Sequence, residues 1–259
     1  MHLDDIPIDS LSFKAYRLPD DAGQRQSPSV FLNLAQWFEA EKFRAFAREQ
    51  FQEVMHMPSA KEARRLAARH RAHWRGDWLA VGYRALACGM VYASRCDHAF
   101  TSRWSGDAES IASAMKPLGL PERLVLSASK EFVRLRLGSR VAFLGGGAAP
   151  FEVVGKRINA IHRKADGAWL LTHWQGRHSS WAIHDWALQQ HVPVTYFGEV
   201  DERLRPSAFD VFKAACDQVV VFEKRQGRLM DGAIKSLRSI KVPVDLELYS
   251  PASNLDWAA

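Results

Sequence analysis

The decapeptide "LAQWFEAEKF", residues 34–43, puts an amine and carboxylates where a helix would carry its apolar side. At about 100° per residue, Leu34, Trp37, Phe38 and Ala45 form one stripe, and Glu41 falls inside it. Lys42 lies beside the stripe, between Phe38 and Phe46. Burying a charge is costly unless it is paired or used. A buried lysine loses its proton more readily and becomes a nucleophile. The plainer alternative is a half-exposed helix from which both side chains reach water. Trp37, on the same stripe, is either core or a ring on which a base could stack.

A second stretch, "RVAFLGGGAAP" at 140–150, runs four strand-forming residues into Gly145, Gly146 and Gly147. Glycines let a backbone approach a phosphate, and a following helix offers free N–H groups. The GxGxxG spacing is absent, since Pro150 stands in it, so three glycines alone also fit an ordinary tight turn. His173 and Arg177 stand around the exit of the next strand candidate, where a parallel sheet would bring them to the same crevice for phosphate or ribose contact. A third stretch, 61–75, carries Lys61, Arg64, Arg65, Arg69, Arg71 and Arg75 against Glu62. It reads as a solvated helix face or as a surface for nucleic acid.

These residues must be placed by helices in the first half and by strands in the second. "NLAQWFEAEKFRAFAREQF", 33–51, has the helical period. Ser59 and Glu62 form a capping box that starts a helix running to about Trp74. Asp77 predicts the N-cap of a third helix over 78–95, apolar on nearly every face and so the expected centre of this half. A short helix ending at Pro117 and then a loop follow. After 138 the rhythm changes to strands at 140–144, 168–174, 192–197, 218–223 and 242–248, with helices at 150–163, 179–190, 206–215 and 229–239. Such alternation requires a parallel sheet. The expected fold class is therefore α+β in two domains: a mainly α-helical domain, 1–137, then an α/β Rossmann-like parallel-sheet domain, 138–259.

The composition, 47% hydrophobic and 25% charged with a net charge of +6, is that of a soluble globular chain tolerant of polyanions. No apolar run approaches a membrane span, and "MHLDDIPIDS" lacks a signal-peptide core, so the expected setting is cytoplasmic. Cys88, Cys96 and Cys216 are scattered, which argues against disulfides or a zinc knuckle. His70 and His73 have no carboxylate at the next helical turn and HExxH is absent, so no metal is expected, nor any cofactor. Ser179 and Ser180 have no partnered base, which argues against a hydrolytic triad.

"LAQWFEAEKF", "MPSAKEARRL" and the Arg75–Asp77–Trp78 cluster before a long apolar helix resemble the NADAR family over about 25–105. That resemblance implies cleavage of N-glycosidic bonds in ADP-ribosylated or ribosylated substrates, including ADP-ribosyl guanine in DNA. It assigns the key lysine to Lys42 and ligand contacts to Arg75 and Trp78. The family's Glu-His pair aligns with Ala35 and Gln36, so Glu39, Glu41 or Asp77 would have to supply the carboxylate. From about 138 to 250 the order of glycine turn, strands, "AIHDWA" helix, a strand ending in Phe-Glu and Gly227 resembles the SLOG superfamily, nearest its YspA-like branch. This implies a nucleotide ligand, with Gly227 closing the pocket. The branch's usual aspartate is replaced by Ser180, and SLOG relatives often assemble, so a homo-oligomer is expected by analogy. Two readings follow: an N-glycosidase processing nucleotide or ADP-ribose-like substrates, or an eroded relative that senses a nucleotide or binds nucleic acid in signalling or phage–host conflict.

Overall fold

The sequence of short β-rich runs after 138 builds one sheet, while the first half packs helices around one buried helix, Leu34–Glu41. The computed structural model describes residues 13–19, 25–31, 33–43, 47–96, 106–145, 149–174, 181–197, 216–225, 231–239 and 241–250. The chain divides into two compact units, Met1–Arg136 and Leu137–Ala259.

In a half expected to be mainly α-helical, unit 1 holds an antiparallel hairpin, β1 (Phe13–Pro19) and β2 (Arg25–Phe31). Pro28 cannot donate to a ladder, and it sits where the register shifts. The helices are α1 (Leu34–Glu41), α2 (Arg48–Met55), α3 (Ala60–Arg69), α4 (Trp78–Cys96), α5 (Ala108–Ala114) and α6 (Glu122–Leu137). The single helix expected over 33–51 is thus broken after Glu41, and the loop expected after Pro117 holds α6.

α1 is the centre of this unit, with every residue from Leu34 to Glu41 buried. It packs on α2, α3 and α4. Its start is fixed by Asn33, whose side chain accepts the Gln36 N–H at 2.7 Å. Gln36 spends its amide on the Met55 and Met57 carbonyls, which closes α2 against it. α4 was expected to be the centre, but it is so only from Ala85 to Ala93; Leu79 is 99% exposed. Gly89 lets α4 approach α1: a Cβ there would stand 2.4 Å from Trp37 Cδ1. Ser59 caps α3 as its capping box predicts, accepting the Glu62 N–H at 3.2 Å.

Unit 2 is a sheet of five parallel strands in the order β5-β4-β3-β6-β7. These are β3 (Ser139–Gly145), β4 (Trp169–Trp174), β5 (Val194–Phe197), β6 (Gln218–Lys224) and β7 (Val244–Tyr249). Among the described residues its helices are α7 (Phe151–Lys164), α8 (Trp181–Gln189) and α9 (Asp231–Ser239). The helix expected at 206–215 lies outside the described residues. Pro193 and Pro243 enter strands by lending only their carbonyls, to the Leu171 and Val219 N–H groups at 2.8 and 2.9 Å. Val219 to Phe222 are all buried, as a central parallel strand requires. The strand order reverses between β3 and β6, which makes the space beyond their carboxyl ends a topological switch point.

Candidate functional site

Helix α1 stops where its chemistry begins. Lys42 is the C-cap, and its carbonyl accepts the Arg75 N–H at 2.8 Å, which ties the segment before α4 to the end of α1. The Lys42 ammonium donates to Glu39 Oε2 at 2.5 Å, one helical turn back. It lies 4.3 Å from the centre of the Trp74 ring and 5.4 Å from that of Phe38. Lys42 is 7% exposed and Glu39 2%. Arg64, from α3, brings its Nε to 3.6 Å from the other carboxylate oxygen of Glu39 and donates from Nη2 to the Leu118 carbonyl at 2.7 Å.

Burial is the main force on this lysine and lowers its pKa from the ordinary 10.5. Glu39 opposes that by attraction and hydrogen bonding, and the Arg64 charge adds to the lowering. The outcome is an amine held in a buried aromatic corner beside its own proton acceptor. Trp74 is fixed there by its indole N–H, which donates to the Ala67 carbonyl of α3 at 2.9 Å.

The other predicted residues of this half take different places. The carboxylate against Lys42 is that of Glu39; Glu41 is fully buried on the same helix. Asp77 is half exposed and is gripped by both Nε and Nη2 of Arg75, at 2.5 and 2.8 Å, so neither is a free group waiting for a ligand. Trp37 corrects the stacking expectation: it is fully buried, edge-on to Tyr92 at 5.4 Å, with its N–H spent on the Ala85 carbonyl. Trp78 packs on Phe38 at 5.0 Å and is a wall of the corner. Sequence reasoning missed Trp74 and Arg64 as parts of the site. The only signal for them was an aromatic and a cation within the basic stretch.

In unit 2, Gly145 ends β3 at φ 73°, a backbone conformation that favours glycine. It pairs with Phe222 of β6, so it stands at the switch point, with the buried Glu223 one residue further along the neighbouring strand. His173 is at the corresponding end of β4, its backbone paired with Phe143. Gly146, Gly147, Arg177 and Gly227 lie outside the described residues. His184 is buried with Nδ1 3.1 Å from Asp185 Oδ1.

Burial pushes the Cys216 thiol up to about 11, which removes it as a nucleophile. His70 Nε2 sits 3.3 Å from Glu53 Oε2. Among the described residues no three His, Cys, Asp or Glu side chains are grouped to hold a metal ion. Among the same residues, no helix is long and apolar enough to cross a membrane. No protein-family model, curated protein or solved structure matches the chain.

Proposed function

We propose that unit 1 is an N-glycosidase acting on ribosylated or ADP-ribosylated nucleobases, with Lys42 as nucleophile and Glu39 as its proton partner. The observation that carries this reading is the buried Lys42–Glu39 contact at 2.5 Å under the Trp74 and Phe38 rings. Glu39 takes a proton from Lys42, and the neutral amine attacks the anomeric carbon. The bond to the nucleobase breaks, and the base leaves with the proton that Glu39 returns. The nitrogen of the Lys42 adduct passes a proton, by way of Glu39, to the ring oxygen as the ring opens to a protonated imine. Water deprotonated by Glu39 then adds to the carbon, and the C–N bond breaks as the nitrogen takes that proton back, releasing the sugar and the amine. Positive charge develops at the sugar during bond breaking, and the faces of Trp74 and Phe38 stabilise it while excluding water.

The reading is tested with guanosine and DNA carrying ADP-ribose on the base, in the presence of borohydride. A reduced sugar adduct mapped to Lys42, with release of unmodified base in its absence, is the expected result. No turnover and no adduct at any pH dismiss the enzyme.

A second reading has its own support. Lys42 is almost closed to solvent, and in unit 2 Gly145 pairs with Phe222, one residue before the buried Glu223, at a switch point where nucleotides bind in sheets of this order. Here the protein holds a nucleotide or ADP-ribose-like ligand without cleaving it, as a cytoplasmic sensor. A thermal-shift screen with ADP-ribose, NAD and cyclic nucleotides separates the two: a ligand that raises Tm and is recovered intact selects the sensor.

A further inference from the structure

We propose that α3 and the 3-10 turn Arg71–His73 after it form a docking surface for single-stranded polynucleotide that ends at Trp74. Ala63 and Ala67 of α3 are fully buried, so the opposite side faces water. That side carries Lys61, Arg65 and Arg69, each one helical turn, about 6 Å, beyond the last. All three are exposed and have no hydrogen-bond or ion-pair partner in the described chain. The neighbouring carboxylates are occupied elsewhere: Glu62 accepts from the Ser59 hydroxyl at 2.8 Å, and Glu53 lies against His70.

The row of cations continues into Arg71, exposed, with its guanidinium carbon 5.7 Å from the centre of the Trp74 ring. Trp74 is only half buried, and it is the same ring that lies over Lys42. A backbone of phosphates neutralised along α3 therefore leads to an aromatic ring with a cation beside it, the pairing by which single strands are held through their bases. Ala68 and Ala72 are the apolar residues of the exposed side, too small to anchor the helix in a lipid surface. Docking stands apart from catalysis. Only the arrival of a modified base at Lys42 rests on the glycosidase reading.

The test is fluorescence anisotropy of a labelled single-stranded deoxyoligonucleotide over a range of salt concentrations. The native protein is compared with Lys61→Glu/Arg65→Glu/Arg69→Glu, and with Lys156→Glu/Arg163→Glu/Lys164→Glu on exposed positions of α7 as a charge-matched control. Circular dichroism verifies that both variants are folded. The native affinity should fall steeply with salt, and the α3 variant should bind more weakly with a slope reduced by about 2, since each lost phosphate contact removes about 0.7. The α7 variant should keep the native slope. Trp74→Ala should weaken the oligonucleotide but leave an abasic strand unchanged. An α3 variant with native affinity and slope overturns the proposal. So does equal binding of polyaspartate, which would make the partner an acidic protein. Oligonucleotide binding with no glycosidase turnover leaves the docking surface standing and removes only the enzyme; turnover of free nucleoside without oligonucleotide binding does the reverse.

Discussion

The ammonium of Lys42 and the carboxylate of Glu39 meet at 2.5 Å, both buried, where α1 ends. A pair in this position is costly to break from one side, because the surviving charge is left without water. Lys42→Met should destabilise unit 1 by about 3 kcal/mol, and Glu39→Gln by a comparable amount, since Lys42 and Arg64 then both face a neutral amide. The double variant Glu39→Gln/Lys42→Met should recover much of the loss. Urea denaturation of the four proteins gives the cycle; additive losses would mean that the pair is not a unit.

Acid–base behaviour follows from the same burial. Lys42 has a folded-state pKa below 10.5, so between the lowered value and 10.5 the unfolded chain binds the extra proton. Its contribution to stability therefore rises with pH across that window, and the charged form is penalised below it. Adduct formation at Lys42 should rise with pH and level off below 10.5. Trp74→Ala lets water reach the amine and should move that midpoint upward. A profile unmoved by the substitution would show that the indole does not shelter the lysine.

Some of this was legible in the chain and some was not. The change of rhythm after 138 marks the parallel sheet, because buried strands such as "QVVVFE" read as continuous apolar runs. Lys42 is visible as a charge beside an aromatic stripe, and its spacing from Glu39 is one helical turn. What failed was the idea of one amphipathic helix. α1 is buried on all sides, so its polar Gln36 and Glu39 hide the burial from any periodicity, and partners from α2 and α3 satisfy them. The approach of Arg64 and Trp74 is tertiary and leaves no local mark. The hairpin β1–β2 escaped because Pro28 and the polar run "RQS" obscure the alternation of β2.

Gly145 gives a prediction for the sheet's rim. At φ 73° an alanine carries a Cβ against the carbonyl, and Gly145→Ala should cost about 1–2 kcal/mol. If nucleotides bind at the switch point, the same substitution should also reduce the Tm rise given by ADP-ribose beyond the simple offset. Scanning calorimetry with and without ligand reads both. A full Tm rise in Gly145→Ala would place the ligand elsewhere.

Gly89 reports on the packing that positions α1. An added methyl would stand 2.4 Å from Trp37 Cδ1 and 2.7 Å from Leu34 Cδ1, in a core whose side chains are already fully buried. Gly89→Ala should lose about 1–3 kcal/mol to overpacking, despite the better helix propensity of alanine. Gain of stability in urea would mean that α1 and α4 are further apart than described.

Cys216 supplies the opposite pH dependence. Its thiol stays protonated up to about 11, whereas the unfolded chain ionises it near 9. Stability from this group is complete below 9 and is lost as pH rises from 9 to about 11. Lys42 acts with the other sign in part of that range, so the comparison that isolates Cys216 is the native chain against Cys216→Ala. The difference in unfolding free energy between them should shrink steadily with alkaline pH. In the native fold at mildly alkaline pH, iodoacetamide should leave Cys216 unmodified until denaturant is added. Rapid alkylation without denaturant would show that the Cys216 side of the core cluster with Ala142, Val219 and Leu237 opens to solvent.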